Sequence, residues 1–258
     1  MDLKNMKSCR LSQPTRYVIY GQAGVGKSTL VSGAEKPLWC DIEDGAGNIN
    51  VARIPFPGGS VTKYSQLIEA LMDIETQDHG FKTLVIDTID RLESLVWDHV
   101  CAKAGAKYKT IEDFGYGKGY VVALQCWRDF AQKLDQIRLK RGMQIVLIAH
   151  SQIKTFRNPE GDDYDRYVLR LHDKAAGFIK EWADVVAFMR FDESASKLQG
   201  DTKAKGYTTG KRHIHTNRRA AFDAKTRISI GDQIVVEGAK SWPLLTERKL
   251  KTEENNPF

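Results

Sequence analysis

The chain has 258 residues, of which 41% are hydrophobic and 28% charged, and its formal net charge is +6. This length predicts one α/β core with a small appendage rather than two full domains. No apolar run approaches the length of a membrane span, and the N-terminus lacks an apolar stretch followed by a small-residue cleavage site. A cytoplasmic protein without a membrane partner is therefore expected. The charge is compatible with a polyanionic partner but does not identify one.

The first predicted strand, Arg16 to Tyr20, follows a polar lead-in at 1–15. It precedes GQAGVGKS, Gly21 to Ser28, and a helix that extends to about Gly33. A strand, a glycine-rich loop and a helix in this order, with every fixed position filled, form a complete phosphate-binding loop. The alternative is a chance glycine-rich turn, and the flanking strand and helix argue against it.

The residue types in this loop follow from the chemistry of phosphate binding. Glycines let the backbone turn with its amides pointing inward around phosphate oxygens. Lys27 is expected to reach the β and γ phosphates, and Ser28 to ligate Mg²⁺, beside the positive end of the helix. Nucleotide binding is therefore assigned to Gly21, Gln22, Ala23, Gly24, Val25, Gly26, Lys27, Ser28 and Thr29.

Two apolar strands downstream end in acidic residues. The first, Leu38 to Ile42, runs into Glu43, and the second begins at Phe81 and ends at Asp87. An aspartate at the end of an apolar strand is a Walker B pattern, which predicts a metal site that Asp87 shares with Ser28. Such a strand is common by itself, but the upstream phosphate loop favours this interpretation.

A third apolar strand, Met143 to Ala149, is followed by His150-Ser151-Gln152. Ligands of open parallel sheets bind beyond the carboxyl ends of the strands, so three polar strand ends predict a site at one edge. Irregular polar segments stand at 105–119 and 153–171, and segments of this length inside a compact domain are usually functional or mobile. Helices are predicted near 61–77, 91–104, 120–140 and 174–182.

The predicted core covers residues 16–230, and its last part is basic. Residues 211–216 and 220–224 are predicted to form a β-hairpin with Arg218 and Arg219 at its tip. In chain order the C-terminal units are a strand at 184–191, a polar linker at 192–210, the basic hairpin and finger region at 211–230, an extension at 231–248 and a disordered tail at 249–258.

The order of these features resembles the RecA-like recombinase core. They are the phosphate loop, the acidic strand end, the Walker B strand, the polar strand end and the basic C-terminal strand. Among its members the chain looks most like the short phage-encoded RecA-like ATPases that act as single-strand annealing proteins. The resemblance covers about residues 16–230. It implies an α/β fold with a mostly parallel central sheet flanked by helices and a C-terminal β-hairpin extension, and it implies ATP and Mg²⁺ as cofactors.

The resemblance also assigns catalytic roles, together with Lys27. Glu43 matches the glutamate that activates the attacking water, Asp87 the Walker B aspartate, and Gln152 the glutamine that senses the γ phosphate. Because His-Ser-Gln replaces the Asn-Gln pair of the family, the sensor is open to a shift of one residue. Lys225 and Arg227 resemble the lysine-x-arginine finger that such motors insert into a neighbouring subunit's nucleotide, which implies a homo-oligomer. The alternatives are an acidic surface turn for Glu43 and a solvated basic strand for the finger.

Two segments correspond to the DNA loops of the family, at 107–119 and 153–170. Basic residues interleaved with aromatics are suited to neutralising a backbone and stacking on bases, which predicts single-stranded DNA as a partner. The alternative is that Phe114 and Tyr116 pack the first loop onto the core. The candidate DNA-binding residues are Lys107, Tyr108, Lys109, Phe114, Tyr116, Lys118, Lys154, Arg157, Arg166 and Arg170.

The predicted function is that of a DNA-stimulated ATPase of recombination or repair that promotes single-strand annealing or strand exchange. A nucleotide-switched loader or accessory factor with little DNA affinity is the alternative, and a metabolic kinase is disfavoured because no lid or acceptor motif is present. The last residues, Glu253 to Phe258, resemble the acidic Pro-Phe tip of bacterial single-strand-binding proteins, which docks on repair enzymes. A plain disordered end is the alternative for this tip.

Overall fold

The computed structural model describes residues 13–43, 45–56, 58–196 and 205–247. The expected C-terminal tail, including Glu253 to Phe258, and residues 1–12 of the lead-in lie outside this range. The described strands are β1 Arg16–Gly21, β2 Pro37–Asp41, β3 Ala52–Arg53, β4 Thr83–Asp87, β5 Gln144–Phe156, β6 Tyr164–Leu169, β7 Val185–Ser196, β8 Lys205–His215, β9 Lys225–Thr226 and β10 Gln233–Val235.

The part of the chain that the structure describes also contains six α-helices. They are α1 Lys27–Val31, α2 Tyr64–Thr76, α3 Ile89–Ala104, α4 Lys118–Arg141, α5 Asp173–Trp182 and α6 Trp242–Thr246, and short 3₁₀ turns cover Ile111–Phe114 and Gly238–Ser241. None of the helices in the described ranges is both long and apolar enough to cross a lipid bilayer.

One sheet runs through the molecule in the order β10-β8-β7-β1-β5-β4-β2-β3. The central strands β7, β1, β5, β4 and β2 are parallel to one another, whereas β8 is antiparallel to β7 and β10 is antiparallel to β8. The central strands are almost wholly apolar because helices and turns cover both faces. In their register Gly21 lies beside His150 and Met189, and Asp41 lies beside Asp87. The phosphate loop and the polar strand ends therefore share one edge.

Side chains of β1 alternate between two separate cores. Val18 and Tyr20 belong to a core formed with α2, α3, α4 and α5, while Tyr17 and Ile19 belong to a core formed with α1 and the C-terminal segment. This alternation follows from the two-residue period of a strand. The C-terminal segment, through Trp242 and Leu245, thus covers the same face of the sheet as the helix after the phosphate loop.

The predicted α/β architecture is confirmed: a mostly parallel central sheet is flanked by helices, and β8 and β10 form a C-terminal hairpin extension. The partner predicted for residues 211–216 is wrong, because residues 213–215 pair with 233–235 rather than with 220–224. Residues 219–222 make a tight turn instead, which inserts Phe222 into the core beside Phe188 and Tyr167. Burial of this aromatic ring outweighs the local hairpin pattern.

Two segments are antiparallel ribbons, although the sequence predicts an irregular loop for one and a linker for the other. Strand β5 continues to Phe156 and pairs with β6, in the region predicted as a polar loop at 153–171. Strand β7 continues to Ser196 and pairs with β8, so residues 192–196 and 205–210 of the predicted linker are strands. Both ribbons extend past the helix-covered part of the sheet, where strands are not required to be apolar.

Candidate nucleotide-binding site

The positions in the phosphate loop require glycine for different reasons. Gly24 and Gly26 have φ angles of 73° and 95°, a region that side chains disfavour. Gly21 has no such angle, but a Cβ there would collide with the backbone oxygen of Met189 on β7. The loop is therefore held in its conformation by both backbone geometry and close packing on the neighbouring strand.

Lys27 is 5% exposed and lies inside the loop. Its Nζ donates to the carbonyl oxygens of Gly21 at 3.1 Å and Gln22 at 2.9 Å. Burial lowers the pKa of Lys27, and the carboxylates of Asp87 and Glu43 are among the groups that oppose this effect. A phosphate oxygen offers the ammonium group a stronger, charge-assisted partner than a carbonyl, so this position suits an anion.

Ser28 and Asp87 meet as the Walker pattern predicts. The Ser28 hydroxyl donates to Asp87 Oδ2 at 2.8 Å, and the indole Nε1 of Trp39 donates to the same oxygen at 3.3 Å. Burial raises the pKa of Asp87 to about 6, and nearby Asp41 and Glu43 add to the rise. A hydroxyl and a carboxylate are the hard oxygen donors that Mg²⁺ prefers, so the residues fit this ion. Sequence reasoning missed Trp39, although its position two residues before Asp41 places both on one face of β2.

Glu43 lies directly beside the end of β4. Its backbone N–H donates to the carbonyl oxygen of Asp87 at 3.3 Å, and Thr88 Oγ1 donates to Glu43 Oε2 at 3.0 Å. The peptide bond between Asp87 and Thr88 is cis. The Glu43 carboxylate is 40% exposed, so it remains accessible to water while its backbone is fixed. Lys27, Ser28, Glu43 and Asp87 thus gather at one edge of the sheet.

Gln152, the predicted sensor, has its side-chain amide bonded to backbone carbonyls of the neighbouring strand and the residues after it. Its Nε2 donates to the carbonyl oxygens of Leu169 at 3.0 Å and Leu171 at 3.3 Å, which ties the amide to the far strand of the β5–β6 ribbon. The β5 residue beside Glu43 is His150, whose Nδ1 is 3.8 Å from Glu43 Oε2. His150 is opposite Gly21 in the sheet, whereas Gln152 lies two residues farther out. The role of Gln152 as the sensor of the γ phosphate, open to a shift of one residue, stays a prediction.

His150 also contacts Asp90, a residue that sequence reasoning did not select. Asp90 accepts the His150 backbone N–H at 2.9 Å, lies 3.0 Å from the ring Nδ1, and accepts from Arg170 Nη2 at 2.6 Å. Burial would raise the pKa of Asp90, but the hydrogen bonds from His150 and Arg170 outweigh it and hold the pKa at about 2. The signal for Asp90 was its place three residues after Asp87, in the first turn of α3. Arg170, a candidate DNA-binding residue, is therefore paired with the site.

The aromatic residues of the first candidate DNA segment divide into two groups. The rings of Tyr108 and Phe114 stack at 4.2 Å and pack against the core, and Lys107 lies over Tyr108 at 4.7 Å. Phe114 thus follows the alternative interpretation, in which the segment packs on the core. Tyr116 is fully exposed. Lys109 lies just before the 3₁₀ turn, and Lys118 is the first residue of α4.

In the β5–β6 ribbon the candidate DNA-binding residues have different environments. Arg166 is 4% exposed and pairs with Asp223 at 2.6 Å, so its selection as a DNA contact is wrong. It lies on the face of the ribbon that packs on the core, where a buried cation requires a carboxylate partner. Lys154 pairs with Asp173 at 2.6 Å, and Arg157 is exposed near the turn of the ribbon.

Lys225 and Arg227 lie near the amino ends of the parallel strands, whereas the phosphate loop lies at their carboxyl ends. Strand β9 pairs with Val185 and Val186 at the start of β7, whereas the loop is beside Met189, about 13 Å along the strand. Lys225 donates to the carbonyl oxygens of residues 180 and 181, and Arg227 Nη2 donates to that of Glu181 at 2.8 Å. Any contact of this pair with a nucleotide must therefore involve another copy of the chain.

The loop, the Ser28–Asp87 pair and the mostly parallel sheet define a P-loop ATPase. The sequence model of the AAA domain matches residues 13–228, and the chain belongs to this AAA domain family. No curated protein matches the chain. Among solved structures it is similar to the crystal structure of the RadB recombinase, with a TM-score of 0.42 and 16% identity over 81% of this chain and 84% of that chain.

Proposed function

We propose that the chain is an Mg²⁺-dependent ATPase of DNA recombination that binds single-stranded DNA and promotes annealing or strand exchange, with hydrolysis stimulated by DNA. One observation carries the proposal. The contacts from Glu43 through His150 and Asp90 to Arg170 join the candidate hydrolysis site to the base of the β5–β6 ribbon. DNA bound to the ribbon would therefore change the hydrogen bonds around Glu43, the candidate base.

The chemistry is phosphoryl transfer to water, in which the protein orients the water and offsets charge on the γ phosphate. Glu43 suits the first task because its carboxylate is partly exposed and held by Thr88. Lys27 suits the second because its ammonium group is already inside the loop. Mg²⁺, held by Ser28 and Asp87, would supply further positive charge beside the phosphates.

DNA contact is assigned to the exposed parts of the two candidate segments. Tyr116 offers a free aromatic face, and exposed Ile153 and Arg157 lie along the β5–β6 ribbon. Lys107, Lys109 and Lys118 add positive charge around them, and Lys154, which is paired with Asp173, lies on the same ribbon. Base stacking on an exposed ring and backbone neutralisation together suit single strands better than a duplex, whose bases are already stacked.

The test is ATP hydrolysis by the full chain with and without single-stranded DNA, over a series of salt concentrations. We expect stimulation that decreases as salt rises, because backbone contacts release counterions. Glu43→Gln is expected to lower kcat about 100-fold or more, in the range of a lost general base. Glu69→Gln, on the exposed face of α2, serves as the matched control and is expected to hydrolyse ATP normally.

The second candidate is a nucleotide-switched loader or accessory factor with little DNA affinity. Lys154, Arg166 and Arg170 pair with Asp173, Asp223 and Asp90. These pairings favour this candidate, since three of the four basic residues selected on the ribbon already have carboxylate partners. Hydrolysis that DNA does not stimulate, together with no salt-sensitive DNA binding, would support this function and contradict the first. Docking through the Pro-Phe tip on a repair protein is compatible with either.

A further inference from the structure

Arg212 on β8 lies against the phosphate loop of its own chain. A Cβ built on Gly26 would be 2.9 Å from Arg212 Nη1 and 3.6 Å from its Cζ. The guanidinium group therefore packs directly on the backbone of the residue that precedes Lys27.

Three contacts hold Arg212 in this position. It is paired with Phe191 in the β7–β8 register, and its guanidinium carbon is 5.5 Å from the centroid of that ring. Its carbonyl oxygen accepts the backbone N–H of Val236 at 2.9 Å. The chain after Val236 then packs on α1, where a Cβ on Gly238 would be 3.6 Å from Thr29 Cγ2. The C-terminal extension thus connects the Arg212 backbone with the helix that follows the loop.

Among the residues that the structure describes, no acid neutralises the charge of Arg212. Asp192 and Glu237 line the same surface cavity as Arg212, yet within the described ranges neither they nor any other carboxylate forms an ion pair with it. An arginine that packs on a phosphate loop without an acidic partner is suited to a phosphate ligand, because its planar fork of N–H groups matches two phosphate oxygens.

We infer that Arg212 is a second cation, in cis, for the phosphate chain of the bound nucleoside triphosphate. This inference rests on the proposed nucleotide-binding function and adds a residue from the C-terminal hairpin to it. Lys27 contacts the phosphates from within the loop, and Arg212 contacts them from the β8 side, across Gly26. The hairpin extension is then part of the nucleotide site and not only a cover for the sheet.

The experiment measures the Kd of a fluorescent ATP analogue for the full chain without DNA, over a series of salt concentrations. Arg212→Ala is expected to raise the Kd about tenfold or more, the scale of a lost charge-assisted contact. It is also expected to reduce the slope of log Kd against log salt. Lys240→Ala removes an exposed cation from the segment that packs on α1 and is expected to change the Kd less than about twofold.

An Arg212→Ala variant that binds the analogue as tightly as the wild type would overturn the inference, and so would weaker binding with an unchanged salt slope. If this variant does not fold, judged by its thermal transition, Arg212→Gln decides the question by the same two criteria. A wild-type chain that does not bind the analogue would instead contradict the proposed function itself.

Discussion

His150, in the middle of β5, stands between the carboxylates of Glu43 and Asp90, while Gln152 is bonded to the neighbouring strand β6. His150 is 3.8 Å from the candidate base, whereas Gln152 is bonded to Leu169 and Leu171. Substitutions at these two positions should therefore lower ATP hydrolysis to different extents. We expect His150→Ala to lower kcat about tenfold or more, as for a residue that orients a base. Gln152→Ala should lower it less than about threefold. Steady-state ATPase assays on both variants check this, and the reverse order of effects would support Gln152 as the sensor.

A second residue-scale prediction concerns Glu93, which is buried in α3 and accepts the backbone N–H of His172. Burial raises the pKa of Glu93 to about 7 from its ordinary value of 4.5. A raised pKa in the folded state means that stability present below about pH 4.5 is lost as the pH rises through 7. Glu93→Gln keeps an acceptor for His172 and removes the buried charge.

We therefore expect Glu93→Gln to stabilise the protein by roughly 1–3 kcal/mol at pH 8 and to change stability little at pH 4.5. Urea unfolding at the two pH values measures both effects. Glu69→Gln, an exposed substitution, is the control and should be within about 0.5 kcal/mol of the wild type at each pH. Equal stabilisation at both pH values would contradict an origin in the carboxylate.

At the scale of elements, prediction from the sequence succeeded where burial dictates composition. The central strands β1, β4 and β5 are apolar because helices cover both of their faces, so their positions and polar ends were readable. The ribbons β5–β6 and β7–β8 leave that core. Their charged residues conceal the strand pattern, and Arg166 shows the result: its type suggests a solvated loop, but its pairing with Asp223 is a tertiary contact that no local pattern reports.

Asp223 holds two cations of different elements, Arg166 on β6 and Lys180 on α5, at 2.6 and 2.8 Å. Asp223→Ala leaves Arg166 buried without a charge partner, which typically costs about 3–5 kcal/mol. We expect this loss in urea unfolding. Arg157→Ala, on the exposed part of the same ribbon, should cost less than about 0.5 kcal/mol. A small effect of Asp223→Ala would mean that Arg166 is free to reach solvent and would reinstate it as a DNA contact.

For the whole molecule, the carboxyl ends and the amino ends of the parallel strands have different functions in the proposed mechanism. The carboxyl edge carries the phosphate loop, Asp87 and Glu43, while Lys225 and Arg227 are at the start of β7 on the amino edge. A single copy cannot bring both edges to one nucleotide. If Lys225 and Arg227 act as a finger, hydrolysis requires a second copy, and the rate per chain should rise with protein concentration.

Mixing two inactive variants separates a finger from a structural basic strand. We expect the double variant Lys225→Ala/Arg227→Ala and the variant Glu43→Gln each to be nearly inactive, because one lacks the finger and the other lacks the base. In a mixture, an intact finger of the Glu43→Gln copy can complete the intact site of the other copy, so activity should return. Lys82→Ala, an exposed change at the start of β4 on the same edge, should be active alone. A folded double variant that stays inactive in every mixture would place the role of Lys225 and Arg227 within their own chain, where they bond to the end of α5.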